Sequence, residues 1–127
     1  MADVNLDQFA DSWIEQWDLR TQSDKTDGLP SDAIDRVSDL DLEGNHAALW
    51  RFILAAYPKE MPVRVQAVFA AGPIENLLAH FGPEYIDRVE ALARRDPKFN
   101  DLLGGVWRNA MTDDVWDRVI GVRNNVW

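Results

Sequence analysis

Proline and glycine recur along the second half of this chain at intervals that leave room for short helices and little else. Gly72-Pro73 and Gly82-Pro83 lie ten residues apart, and Asp96-Pro97 follows. Glycine ends helices readily because it has no Cβ to oppose a left-handed conformation. Proline opens them because its φ is already helical and its missing N–H is not needed there. The repeated pair reads as punctuation. Gly72 is expected to end one helix in the left-handed conformation, Pro73 to open the next, and Gly82-Pro83 to repeat the device.

Between these stops the apolar residues keep helical spacing. The stretch "PIENLLAHF" presents Ile74, Leu77, Leu78 and Phe81 on one face, and "PEYIDRVEALARR" presents Tyr85 or Ile86, Val89, Leu92 and Ala93. The second stretch begins with Glu84 and Asp87 and ends with Arg94 and Arg95, which matches the helix dipole at both ends. Asp96 is the expected cap of a helix that Pro97 opens. Thr112, with Asp113 and Asp114, is the expected cap of a last helix running to the C-terminus. Gly104-Gly105, inside an otherwise helical run, predicts a helix break or a close approach between helices.

The first half follows the same rule. Leu6, Phe9, Trp13 and Trp17 are spaced three, four and four apart, which is one face of a helix capped by Asp3 or Asn5. The polar run "TQSDKTDGLP" is a loop. Ser31 is placed to cap a short helix with Ile34, Val37 and Leu40 on one face. "NHAALWRFILAAY" is apolar on nearly every side, as a mostly buried helix would be, and Pro58 stops it. Pro62 starts the next helix, and no stretch alternates in the manner of a half-buried strand.

The expectation is an all-α protein of about seven or eight short helices in a single compact domain, residues 1–127. Short helices with minimal turns stack as antiparallel neighbours, so the C-terminal part is expected to resemble HEAT-type stacking, although no sequence repeat is evident.

Charge divides the chain. The net charge is −9. Residues 1–48 hold twelve acids and three bases, whereas residues 49–127 hold ten of each. The domain thus reads as an acidic helical part, 1–48, and a neutral helical stack, 49–127. Such a field repels nucleic acid and anionic membrane and attracts a basic partner. Two rows of carboxylates carry it: Asp7, Asp11, Glu15 and Asp18, then Asp32, Asp35 and Asp39. These seven are the candidate partner-binding residues.

Other chemistry is sparse. With no cysteine there is no disulfide, thiolate metal site or cysteine nucleophile, which fits a cytoplasmic protein. The N-terminus lacks the basic start and apolar run of a secretory signal, and the longest apolar stretch is short and interrupted by Arg51, so no membrane span is expected. His46 and His80 have no zinc-site spacing, and no phosphate-binding glycine loop or nucleophile elbow occurs. No cofactor or metal is expected. Most C-terminal carboxylates stand beside arginines, with Asp87 next to Arg88, Glu90 four before Arg94 and Asp114 four before Arg118, which reads as helix-surface ion pairs. Trp13, Trp17, Trp50, Trp107 and Trp116 fall on apolar faces and are expected in the core. Trp127 either docks on the protein's own core or anchors a partner.

The segment Trp50–Trp107, through "AAGPIENLLAHFG", "YIDRVEALARRDPKF" and "LLGGVW", resembles an uncharacterised family of small bacterial proteins. The resemblance implies a bacterial or phage origin and a helical fold. It implies no catalytic residues, and residues 1–48 lie outside it.

The functional expectation is a non-enzymatic binding protein of the immunity or inhibitor type, engaging a basic protein through its acidic half and not nucleic acid directly. One alternative is a nucleic-acid mimic that blocks a DNA-binding protein. Another is a small enzyme with a carboxylate in a pocket lined by Trp50 and Trp107. A helical scaffold dimerising through an aromatic face is a third.

Overall fold

The computed structural model describes residues 3–127, and the described chain is all-α with no strand. It divides into two compact units, Met1–Val68 and Phe69–Trp127. The acidic segment lies wholly within the first.

In the first unit, α1 (Asp3–Thr21), α2 (Asp32–Leu42) and α3 (His46–Ala56) pack against one another in all three pairs, and α4 (Val63–Phe69) follows. Trp13 is the largest fully buried side chain. Its ring meets Phe52 of α3 edge-on at 5.5 Å, and Phe9 meets the same Phe52 at 5.8 Å. Ala33, Val37 and Leu40 of α2 and Leu49, Ile53 and Ala56 of α3 complete this core. Of the expected faces, Trp13, Val37 and Leu40 are buried, while Leu6, Phe9, Trp17 and Ile34 are half-buried. The third helix is less enclosed than its composition suggests: one face is buried, while Arg51 and Leu54 face solvent. Asp3 and Asn5 are already helical, so the cap of α1 falls outside the described residues. Asn45 caps α3 by accepting from the Ala48 N–H. Gly28 and Gly44 carry the positive φ that the loops at either end of α2 require.

In the second unit a π-helical turn (Ala70–Ile74) leads into α5 (Glu75–Arg95), followed by α6 (Pro97–Leu102), a 3₁₀ turn (Leu103–Gly105) and α7 (Asp113–Val122). Helix α5 packs on α6 and α7. The core is Ile74, Leu77, Leu78, Tyr85, Ile86, Val89, Phe99, Leu103, Val115 and Val119. Asp96 and Thr112 cap their helices as expected, accepting from the N–H groups of Lys98 and Val115.

The two Gly-Pro pairs behave otherwise than expected. Gly72 has no positive φ, and the backbone does not stop at Pro73. Instead the turn widens, and the Glu75 N–H reaches back five residues to the Ala70 carbonyl. A proline inside an α-helix lacks a donor and crowds the carbonyl four residues earlier, and a wider π turn relieves both problems. At the second pair the helix kinks, with Phe81 at φ −132° and ψ 23°. Gly82 is buried there because α7 comes close: a Cβ at this position would stand 3.0 Å from both γ-methyl carbons of Val115.

Helix α7 stops at Val122, short of the C-terminus. The rest of the chain turns back. The Asn124 N–H donates to Asn100 Oδ1 at 2.8 Å, and the Trp127 N–H donates to the Gly104 carbonyl at 2.9 Å. A Cβ on Gly105 would lie 2.5 Å from the Trp127 ring, and one on Gly104 only 2.8 Å from it. The diglycine is the seat of Trp127, so this side chain docks on its own unit.

No helix among the described residues is long and apolar enough to cross a membrane.

Candidate functional site

Helical period sets the seven carboxylates in rows on α1 and α2, and the packing of the first unit decides how each is used. Asp7, Asp11, Glu15, Asp32, Asp35 and Asp39 are exposed, and Asp18 is half-buried. Lys59, in the turn before α4, sets its Nζ 2.6 Å from Asp7 and 3.0 Å from Asp11. Hydrogen bonds to these two carboxylates push the Lys59 pKa up. Arg64 approaches Asp18 at 3.6 Å while its Nε donates to the Thr21 hydroxyl. Asp32 accepts from Gln16 Nε2 at 2.8 Å, and Asp35 from the Ser31 hydroxyl at 3.0 Å. The side chains of Glu15 and Asp39 have no hydrogen bond or ion pair among the described residues.

The rows therefore consist of three kinds of charge. Asp7, Asp11 and Asp18 are paired with cations, Asp32 and Asp35 are hydrogen-bonded, and Glu15 and Asp39 are bare. The cations arrive from residues remote in sequence, so the spacing of the acids could not reveal them.

Gln16 joins the two rows. It is buried, and its Oε1 accepts from the N–H groups of Ala33 and Ile34 at the start of α2. Ser31 stands at the N-cap position, but its hydroxyl donates to Asp35 and caps nothing. The cap of α2 is thus supplied by a side chain of α1. The signal in the sequence was a polar residue in a core register, three after Trp13.

Beside this surface lies a cleft of about 390 Å³. Trp17, Arg20 and Thr21 of α1 line it, with Ser31, Ile34 and Asp35 at the start of α2.

The second unit holds a buried carboxylate at the end of the π turn. Glu75 Oε1 accepts from the Trp107 N–H at 2.8 Å, and Oε2 accepts from Asn109 Nδ2 at 3.0 Å. Asn109 has a left-handed φ of 51°, and Arg108 between them pairs with Asp113. Both Glu75 oxygens are engaged in holding the loop before α7. Trp107, expected in the core, is 70% exposed, because Glu75 grips its backbone and leaves the ring outside.

Arg118 does not pair with Asp114. It reaches across to α5, 2.7 Å from Asp87 and 3.1 Å from Glu90, and Glu90 also meets Arg94 at 3.4 Å. The Arg118 guanidinium draws the Glu90 pKa below its usual value. Arg123 lies 5.0 Å over the Trp116 ring. Among the described residues no group of three or more His, Asp or Glu side chains is placed to hold a metal ion.

A family model described as a family of unknown function, DUF6869, matches residues 21–126, and the chain belongs to that family. The match reaches further toward the N-terminus than the resemblance read from Trp50–Trp107. It takes in α2 with Asp32, Asp35 and Asp39, and begins after Asp7, Asp11, Glu15 and Asp18. No curated protein and no solved structure matches the chain.

Proposed function

We propose that this member of the DUF6869 family is a non-enzymatic binding protein of the immunity or inhibitor type, acting in the cytoplasm on a basic protein. The acidic surface of α1 and α2 is the contact. One observation carries the reading: six of the seven row carboxylates are exposed, on a unit with thirteen acids against six bases over residues 1–68. Charge of one sign on an exposed face accelerates encounter with an opposite charge and rejects like-charged partners. Glu15 and Asp39 contribute most, because no cation of the protein's own neutralises them. Asp7 and Asp11 contribute less, since Lys59 already lies between them. That lysine also interrupts the row, which favours a protein partner over mimicry of an unbroken phosphate track.

The test is capture from a lysate of the source organism at low and high salt, run in parallel with three forms of the protein. The wild type should retain a basic protein at low salt and release it at high salt. Glu15→Lys with Asp39→Lys should abolish capture, while Asp7→Asn with Asp11→Asn should weaken it only modestly. Equal capture by wild type and the charge-reversed form would overturn the reading.

A further inference from the structure

The first unit carries a strong negative excess, yet one of its few cations is unused. Arg20 is half-buried, its Nε is buried without a hydrogen-bond partner, and its guanidinium forms no ion pair among the described residues. Buried polar groups ordinarily have a partner, and this arginine pairs with none of the carboxylates of its own acidic unit. Arg20 lines the cleft of about 390 Å³, and such a volume lies within the range of small-molecule sites.

The rest of the lining defines the ligand. Asp35 borders the same cleft and forms no ion pair with Arg20. Its Oδ2 accepts from the Ser31 hydroxyl, which leaves Oδ1 open. Opposite charges therefore border one cleft without cancelling each other. Trp17 and Ile34 supply an aromatic and an aliphatic wall. A polyanion is disfavoured here, because Asp35 and the acidic unit would repel it. A simple cation is disfavoured by Arg20. A net-neutral zwitterion with an apolar body satisfies both charges and both walls.

We propose that this cleft binds a small apolar amino acid. Its carboxylate pairs with the Arg20 guanidinium, whose planar fork suits a carboxylate. Its ammonium donates to Asp35, and its side chain lies against Trp17 and Ile34. The lining shares Asp35 with the acidic rows but includes neither Glu15 nor Asp39, on which the proposed protein contact chiefly rests.

The experiment is calorimetric titration of the full chain with L-leucine, L-methionine and L-phenylalanine, each to about 10 mM. For leucine, 3-methylbutylamine, which lacks the carboxylate, and 4-methylpentanoate, which lacks the ammonium, serve as matched probes. At least one amino acid should bind, and neither truncated leucine analogue should match leucine. Arg20→Gln and Asp35→Asn should each weaken binding by about tenfold or more, with circular dichroism unchanged. Glu15→Lys with Asp39→Lys should leave it intact. Absence of binding by all three amino acids would overturn the proposal. So would equal binding of 4-methylpentanoate, or unaltered binding by Arg20→Gln.

Discussion

Gln16 does more for the first unit than any carboxylate beside it. One amide makes three hydrogen bonds to the start of α2, two accepted from backbone N–H groups and one donated to Asp32. The first N–H groups of a helix have no partner within it, so a cap removed exposes them to an incomplete environment. Gln16→Ala should destabilise the unit by about 1–2 kcal/mol. Hydrogen exchange checks it directly: the Ala33 and Ile34 amides should exchange faster, while the Val115 amide, capped by Thr112 in the other unit, should not change. Unaltered exchange at Ala33 would show that Ser31 or water had taken over the cap.

Local chemistry of this kind was legible where both partners lie within a few residues. Asp96 before Pro97 and Thr112 before Asp113 announced their caps, because the acceptor and its donor are neighbours in the chain. Gln16 and Asp32 were opaque because they stand sixteen positions apart. The seven carboxylates were legible as charge, but not as bare, bonded or paired, since Lys59 and Arg64 approach from elsewhere. The buried anchoring roles of Glu75 and Asn100 were illegible for the same reason. Asn100 is buried, donates to the Ala93 and Val122 carbonyls and accepts from the Asn124 N–H, a set drawn from two distant parts of the chain. Trp107 was misplaced because an apolar residue beside an apolar run reads as core. Only the grip of Glu75 on its backbone decides otherwise.

At the scale of helices, the approach of α5 to α7 rests on a missing side chain. Gly82 lies against Val115, and a methyl group there would have to push the valine aside. Gly82→Ala gains helix propensity but overpacks the contact, for a net loss of about 1–3 kcal/mol. Val115→Ala opens the space at its own cost. The double variant should therefore be more stable than the sum of the two single losses implies, which chemical denaturation of the four proteins would measure. Strict additivity would mean that Gly82 serves the kink at Phe81 and not the contact. The two Gly-Pro pairs show why element boundaries were only partly readable. Proline at a helix start and proline inside a π turn present the same dipeptide. What separates them is whether the chain on both sides is held in one helix by packing, as Ala70, Ile74 and Leu77 are.

For the whole molecule, falling pH acts on stability through the Glu90–Arg118 pair. Its carboxyl has a pKa in the folded state below the ordinary 4.5, because Arg118 hydrogen-bonds the charged form. A depressed carboxyl pKa contributes stability that is present above the unfolded value and is lost as pH falls through the folded one. Glu90→Gln should therefore lower stability at neutral pH and flatten its decline below about pH 4.5, as thermal melts across pH 3 to 7 would record. An acid limb identical to that of the wild type would assign the decline to other carboxylates.

The π turn between Ala70 and Ile74 also sets where Glu75 points. A turn that closes its hydrogen bond five residues back holds one residue more than the α-helix would. Deleting one residue at Ala71 or Gly72 would, at about 100° of rotation per residue, swing Glu75 away from Trp107 and Asn109, and would leave Pro73 crowding a regular helix. The extra residue and the loop that Glu75 holds are thus tied together.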